Sequence, residues 1–289
     1  MSIICQGNLG GYLQIGVLGQ GRLGQALASN FYQQGLAVHS WSRNPKNQDW
    51  SNKAFHSLEN FDLGKLDKLI IASGSSSPRS ISEVEERQRT IGYLSQNTND
   101  FSGQIYYLSS GAVYGNCLNA ITESDECKPS TVYGSAKLST ELLLRETFGS
   151  NLSVFRIGNI VPDQLDFGIF KMIKTNLSNH LPINLFGDPL DSRDYIGERD
   201  LIRVLSAAIL TEQKFKVMNV GSGESISLRE IAQILSDIYK QDLNIVWGPR
   251  SSSDVARTIL DVSYMQTLLT VSFGSSRALM RNLLEFRYE

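Results

Sequence analysis

Apolar residues along this chain fall into short continuous runs separated by segments of helical spacing. Residues 13–19 (LQIGVLG), 36–41, 68–73 (KLIIAS), 105–110 and 152–157 each have the length and flanking polar or glycine residues of a buried strand. Residues 22–34 carry a helical pattern between the first two runs, a polar helical stretch is expected over about 80–97, and another helical pattern opens near residue 133. A helical segment and loop follow over 168–182, and strand character returns at 182–188. The run 217–222 (VMNVGS) leads through a loop into a helix for which Ser227 and Glu230 form a capping box. Strands alternating with helices through short connections predict an α/β fold: a doubly wound, mainly parallel sheet with helices on both faces. The expected division is a first lobe of residues 1–161, to which 183–220 return, and a smaller C-terminal lobe within 162–289.

Composition narrows the possible chemistry. A hydrophobic content of 41% and a charged content of 19% over 289 residues suit a folded chain with a sizeable core. A net charge of -2 gives no electrostatic basis for binding nucleic acid or an acidic membrane, so an anionic ligand must be met by local arginines. Cys5, Cys117 and Cys127 lack metal-ligand spacing and the three histidines form no cluster, so no metal site is expected and the thiols should be reduced. Residues 1–12 lack the basic start and long apolar core of a signal peptide, and no apolar run reaches membrane-spanning length. A cytoplasmic protein is expected.

Between the first strand and the first helix stands Gly19-Gln20-Gly21-Arg22-Leu23-Gly24. Glycines there leave backbone amides and a helix N-terminus open to a dinucleotide pyrophosphate, which makes Gly19, Gly21, Arg22, Leu23 and Gly24 candidate contacts in a Rossmann-type lobe. The second run ends in Ser42-Arg43-Asn44, with no acidic residue between the glycines and Asp49. An acid at this strand end binds the ribose 2′-hydroxyl of NAD, whereas an arginine accommodates the 2′-phosphate of NADP. NADP is therefore favoured over NAD, with Ser42 and Arg43 as contacts, against the alternative of a merely solvent-exposed arginine. At the end of the third run, the small Ala72 and Ser73 and the glycine at Gly74 suit a groove where the backbone approaches the cofactor.

The stretch 105–141, IYYLSSGAVYGNCLNAITESDECKPSTVYGSAKLSTE, holds the candidate chemistry. Tyr133 and Lys137, four apart, share one helix face. A phenol of ordinary pKa about 10 is a poor acid or base near neutrality, and a nearby ammonium stabilises its phenolate. Ser110, ending the neighbouring strand, can hold a carbonyl oxygen beside that phenol, giving a proton-transfer site for an alcohol and ketone pair. Ser109, Ser110, Val113, Tyr114 and Gly115, then Thr122, Glu123 and Pro129, then Tyr133, Gly134, Lys137 and Glu141 together resemble the extended short-chain dehydrogenases, the NAD(P)-dependent epimerase, dehydratase and reductase family acting on nucleotide sugars. The resemblance continues in Arg156 to Asn159, similar to that family's RxxN, and in Arg193-Asp194-Tyr195-Ile196 with Asp200 and Leu201, similar to RDYIxxxDL. Departures are the short GxGxxG where GxxGxxG is usual, Gly197 where many members have histidine, and a displaced arginine before Asp254-Val255, leaving Arg250 and Arg257 as substitutes.

The resemblance implies an NADP-dependent reductase of a nucleotide-linked keto sugar, with hydride passing from the nicotinamide to C4 of a 6-deoxy-4-keto sugar. It implies Tyr133 as proton donor, Lys137 on the nicotinamide ribose, Ser110 polarising the carbonyl, and Ser109, Tyr133 and Lys137 beside the cofactor. Ser110, Asn159, Arg193 and Arg250 are the implied substrate contacts, in a substrate-binding C-terminal lobe; for Arg193 a pair with Asp194 or Asp200 is the alternative. Dehydratases of this family carry an Asp-Glu pair after the catalytic hydroxyl, where this chain has Gly111 and Ala112, so dehydration is not expected. Epimerisation with a retained cofactor needs the same Ser110, Tyr133 and Lys137 and is the alternative. A non-catalytic NADP-binding sensor or scaffold is a third reading, against which those three intact residues argue. Many relatives dimerise through the catalytic helix, so a homodimer is a possible assembly.

Overall fold

The structure, a computed structural model, describes residues 13–42, 55–57, 63–64, 66–73, 92, 101–164, 168–239, 243–250, 255–270 and 274–285. Arg43, Gly74, Asp254 and, apart from Gly92, the expected polar helix at 80–97 lie outside the described residues. In chain order the elements are β1 (Gln14–Leu18), α1 (Arg22–Gln33), β2 (Ala37–Ser42), β3 (Phe55–Ser57), β4 (Lys68–Ile71), β5 (Gln104–Ser110), α2 (Val132–Phe148), β6 (Leu152–Ile157) and β7 (Asn159–Val161). There follow α3 (Gly168–Ser178), β8 (Ile183–Phe186), β9 (Ser192–Gly197), α4 (Glu198–Leu210), β10 (Val217–Val220), β11 (Ser225–Ser227), α5 (Leu228–Tyr239), β12 (Ile245–Gly248), α6 (Ser263–Leu269) and α7 (Ser276–Leu284).

The main sheet has the order β3-β2-β1-β4-β5-β6-β10. Its pairs β1 with β2, β1 with β4, β2 with β3 and β4 with β5 are parallel. This is the doubly wound Rossmann arrangement, with the order reversing between β1 and β4, where such sheets place their ligand crevice. Buried strands need apolar side chains on both faces, and the runs supply them: Leu18, Trp41, Leu69, Ile71, Ile105, Tyr107 and Val154 join Leu144 of α2 in one core cluster. Another group stacks Tyr106 on Phe155 with ring centroids 6.1 Å apart, and Phe215 lies 5.1 Å from Phe155. Lys68 reaches the carbonyl of Ile209, satisfying one of the groups that the C-terminus of α4 leaves without an intrahelical partner.

The chain divides into two compact units, the first of residues 1–109, 136–155 and 205–217 and the second of 110–135, 156–204 and 218–289. This differs from the expected division at residue 161. The second unit is neither smaller than the first nor wholly C-terminal, and of 183–220 only 205–217 fall in the first unit. The cause is strand pairing: β7 and β9 form a three-stranded sheet with β11, and β8 pairs with β12, so β8 and β9 have their partners in the second unit. Phe170, Ile173, Leu177, Leu185, Tyr195, Ile231, Leu235, Met280 and Leu284 make its core. The capping box at the start of α5 is formed: the Ser227 hydroxyl accepts the Glu230 N–H at 3.1 Å and the Glu230 carboxylate accepts the Ser227 N–H at 2.9 Å.

Candidate active site

The glycine loop joins β1 to α1. Gly19 has φ +110, and a Cβ there would lie 2.7 Å from the Ser73 nitrogen; at Gly24 a Cβ would collide with the Gly19 carbonyl. Both positions must stay glycine for β1, the loop and the end of β4 to pack this closely. The helix that follows is not capped by a side chain at Gly21 and has no acidic residue in its first turn. Arg22 instead adds positive charge to the positive end of the helix dipole, an unfavourable placement that a bound anion would reverse. Just across the loop, the hydroxyl of Ser73 is buried without a hydrogen-bond partner among the described residues. A cradle that a Cβ would fill, an uncapped helix N-terminus and an orphaned hydroxyl fit a dinucleotide. Ala72 and Ser42 are half-buried at the carboxyl ends of β4 and β2.

At the end of β5, Ser110 closes the strand and opens a short 3-10 turn, Gly111–Tyr114, by accepting the Ala112 N–H on its hydroxyl at 3.2 Å. The Thr131 hydroxyl caps α2, accepting the Gly134 N–H at 3.0 Å. Gly134 itself sits where a Cβ would collide with the Ala112 carbonyl, so the glycine after Tyr133 lets α2 start against the 3-10 turn. Tyr133 is half-buried, and Lys137, one turn on, is buried with its Nζ donating to the Leu108 carbonyl at 2.7 Å and 5.0 Å from the centre of the Tyr107 ring. Glu141, one further turn along, is buried and accepts a hydrogen bond from the Ser109 hydroxyl. Tyr133, Lys137 and Glu141 thus follow one face of α2.

Tyr114, also in this stretch, has a different role from Tyr133. Burial pushes its phenol up to about 12 against the opposing influence of Arg156, whose guanidinium lies 4.7 Å from the ring centre. Its hydroxyl donates to Asn219 at 2.8 Å, so it serves as a structural hydrogen-bond donor. The Asn219 N–H in turn donates to Glu123 of the acidic loop at 2.8 Å.

Arg193 is buried on β9 with its guanidinium donating to the Ala256 carbonyl at 2.8 Å. The oxygens of the neighbouring Asp194 accept from Ser222, Gly223 and Leu260, and Asp200 pairs with Arg203 at 3.0 Å. Burial raises the Asp194 carboxyl above its ordinary range despite those hydrogen bonds. Arg250 makes a two-point ion pair with the buried Asp191, its Nε donating at 2.6 Å. Burial would raise the Asp191 carboxyl, but Arg250, the Asp188 N–H and the charge of Arg193 together hold it below its ordinary value. Asp191 and Glu141 had no role assigned from the sequence, and Ser109 was expected only beside the cofactor. The spacing of Glu141 from Lys137 pointed to it, whereas Asp191 and Arg250, 59 residues apart, carried no local signal. Asn159 is exposed on β7. Among the described residues no group of His, Cys, Asp and Glu could hold a metal ion, and no helix is long and apolar enough to cross a membrane.

The model of the NAD dependent epimerase/dehydratase family matches residues 15–221. Escherichia coli dTDP-4-dehydro-6-deoxyglucose reductase is 32% identical over 139 residues, covering 45% of this chain and 44% of the relative. A Streptomyces dTDP-4-dehydro-6-deoxy-D-allose reductase is 27% identical over 206 residues, covering 66% and 63%. The chain thus spans about half the length of the curated relatives it matches. Among solved structures, UDP-glucuronic acid 4-epimerase from Bacillus cereus, in complex with UDP-glucuronic acid and NAD, superposes with a TM-score of 0.80 at 22% identity, covering 94% of this chain and 97% of the other. At that identity the likeness is one of fold.

Proposed function

The chain belongs to the NAD dependent epimerase/dehydratase family, and from that premise we propose that it is a cytoplasmic, NADP-dependent reductase of a nucleotide-linked 4-keto-6-deoxy sugar. The observation that carries this reading is the end of β5, where Ser110 is followed by α2 bearing Tyr133 and Lys137 on one face, while positions 111 and 112 supply no carboxylate. An alcohol and ketone interconversion needs one proton donor and an oxyanion partner, whereas elimination of water needs a further acid and base. Similarity to reductases of dTDP-linked 4-dehydro-6-deoxy sugars supports the substrate class.

Bound NADPH supplies the hydride. Ser110 holds the carbonyl oxygen, Tyr133 gives its proton to that oxygen, and the Lys137 charge favours the phenolate that remains and orients the nicotinamide ribose. Gly19, Gly21, Arg22, Leu23 and Gly24 seat the pyrophosphate at the start of α1, and Ala72, Ser73, Gly74 and Ser109 line the groove. Ser42 and Arg43 take the 2′-phosphate; NAD is the alternative cofactor. Asn159, Arg193 and Arg250 bind the nucleotide sugar, Asn159 and Arg193 at its diphosphate. Exposed Val132 and Leu142 on α2 support a homodimer.

The second reading, a 4-epimerase with retained cofactor, uses the same three residues, Ser110, Tyr133 and Lys137. The test is a panel of nucleotide sugars incubated with NADPH and followed by absorbance and mass spectrometry. Stoichiometric NADPH oxidation is expected with a 4-keto sugar, and Tyr133→Phe should lower turnover by about two to four orders of magnitude while NADPH still binds. Interconversion of two epimers without cofactor loss would replace the reductase by the epimerase. NADPH binding with no turnover across the panel would make the chain a sensor.

A further inference from the structure

Ser109, Lys137 and Glu141 are three polar or charged side chains buried where α2 packs on the end of β5, and Glu141 has no part in the proposed chemistry. Along its buried face α2 carries Lys137, Glu141 and Leu144 on successive turns, all at most 7% exposed. At the lower turn Leu144 packs into the apolar core beside Ile105, Tyr107 and Leu152. At the upper turns, where β5 runs out into Ser110, that face changes to an ammonium and a carboxylate. Their partners on the strand are consecutive: Lys137 donates to the Leu108 carbonyl at 2.7 Å, and the Ser109 hydroxyl donates to Glu141. Burying a carboxylate is costly unless its partners compensate, and an apolar residue of similar volume is often as stable or more so. A purely structural contact therefore gives no reason to keep a charge at 141.

We propose that the Ser109–Glu141 pair is a positioning device that fixes the Lys137 ammonium at the end of β5. Two adjacent residues of the strand are tied to two adjacent turns of the helix, which locks the helix both along its axis and in rotation. The Ser109 contact sets where the backbone of α2 sits against β5, and so the point from which Lys137 reaches the Leu108 carbonyl. The carboxylate also places a negative charge one turn from the ammonium on the same face, at the spacing where opposite charges on a helix attract. Glu141 touches neither substrate nor cofactor and acts through Lys137; Ser109 also lines the proposed cofactor groove, so Glu141→Gln is the variant that isolates the positioning role.

The turnover part of the test rests on the proposed reductase reading, whereas its binding part does not. Ser109→Ala removes the hydroxyl, Glu141→Gln keeps an acceptor for that hydroxyl while removing the charge, and Ser109→Thr keeps the hydroxyl on a strand-compatible residue. Ser153→Ala serves as the control, because Ser153 is equally buried in β6 and donates to the Phe215 carbonyl at 2.6 Å, remote from Lys137 in role. Thermal midpoint, NADPH Kd by fluorescence titration, kcat and KM are measured for each. Ser109→Ala and Glu141→Gln should lower kcat by about tenfold to a hundredfold, weaken NADPH by about threefold or more, and leave KM for the sugar within about twofold. Ser109→Thr should recover most of the loss, and Ser153→Ala should lower the thermal midpoint without changing kcat or NADPH Kd. If Ser109→Ala and Glu141→Gln lose thermal stability as Ser153→Ala does but keep kcat and NADPH Kd, the pair is only structural and the proposal is overturned. If the unaltered protein reduces no nucleotide sugar, the reductase reading fails by itself, and the NADPH Kd of Glu141→Gln still decides the role of the pair.

Discussion

Alanine at Gly24 and at Gly21 should separate the two duties of the glycine loop. At Gly24 a Cβ would fall on the Gly19 carbonyl, well inside the 3.0 Å that real Cβ atoms keep, and the obstructing group is backbone that cannot rotate away. Gly19 has little room to yield, since its own φ of +110 and its packing against the Ser73 nitrogen pin it to the end of β4. Relief therefore needs a backbone shift of about 1 Å, which in a packed site costs about 1–3 kcal/mol. At about 2–4 °C per kcal/mol for a domain of this size, the thermal midpoint of the unliganded protein should fall measurably. At Gly21, which has φ -70, a Cβ would meet nothing within 4 Å, so stability should stay the same or rise slightly through the less flexible unfolded chain. That methyl would nonetheless stand at the uncapped N-terminus of α1, where the proposed pyrophosphate sits. NADPH affinity of Gly21→Ala should weaken by about tenfold to a hundredfold, equivalent to about 1.4–2.8 kcal/mol. Melting curves without ligand and fluorescence titration with NADPH read the two effects separately. Unchanged NADPH affinity in Gly21→Ala would refute the placement of the pyrophosphate, and an unchanged midpoint in Gly24→Ala would refute the packing argument.

Arg43→Ala should erase most of a preference for NADPH over NADH, expected at about tenfold to a hundredfold from one charged phosphate contact; equal affinities in the unaltered protein would sink the NADP assignment. Arg250→Ala removes the partner of a buried carboxylate. Because the Asp191 pKa is held below the ordinary 3.8, its stabilisation is fully present above that value and is lost as pH falls through the lower folded value. The deficit in thermal midpoint should therefore be largest near pH 7 and shrink below 3.8; a deficit independent of pH would mean that lost packing, not the ion pair, sets it. Ser227→Ala should cost about 1 kcal/mol through the lost cap of α5, seen in denaturant melts, and leave NADPH binding unchanged.

The main sheet was legible because a buried parallel strand must be apolar on both faces, and the runs ending at Leu18 and Ile71 keep that pattern, as does the run ending at Ile157 except at Ser153 and Arg156. The capping box at Ser227 was legible for a similar reason, since both partners lie within one turn. The division into units was not. The strands β7, β8 and β9 are short, and whether such a strand joins the large sheet or a separate one depends on partners as distant as β11 and β12. In the candidate site the same limit applies. Tyr133 and Lys137 could be paired by helical spacing, and Ser110 by its place at a strand end. What holds Arg250 and Lys137 in place comes from Asp191 and from the Leu108 carbonyl, and such contacts follow only from the folded register.

Reduction and epimerisation share Ser110, Tyr133 and Lys137, so the distinction between them rests on how firmly the cofactor is held. A reductase exchanges its cofactor at every turnover, and the dissociation rate then sets a ceiling on kcat. With association at about 10⁶ M⁻¹s⁻¹ and turnover at about 10 s⁻¹, the oxidised cofactor can bind no more tightly than about 10 µM. An epimerase has no such ceiling and gains from tight retention. What the described part of the loop offers is modest: backbone N–H groups at an uncapped helix end, one arginine in the first turn, and the hydroxyl of Ser73. Helix-end charge interactions contribute about 0.3–1 kcal/mol when exposed. An oxidised-cofactor Kd far below that ceiling would therefore assign the chain to retained-cofactor chemistry, and a Kd at or above it to the proposed reductase.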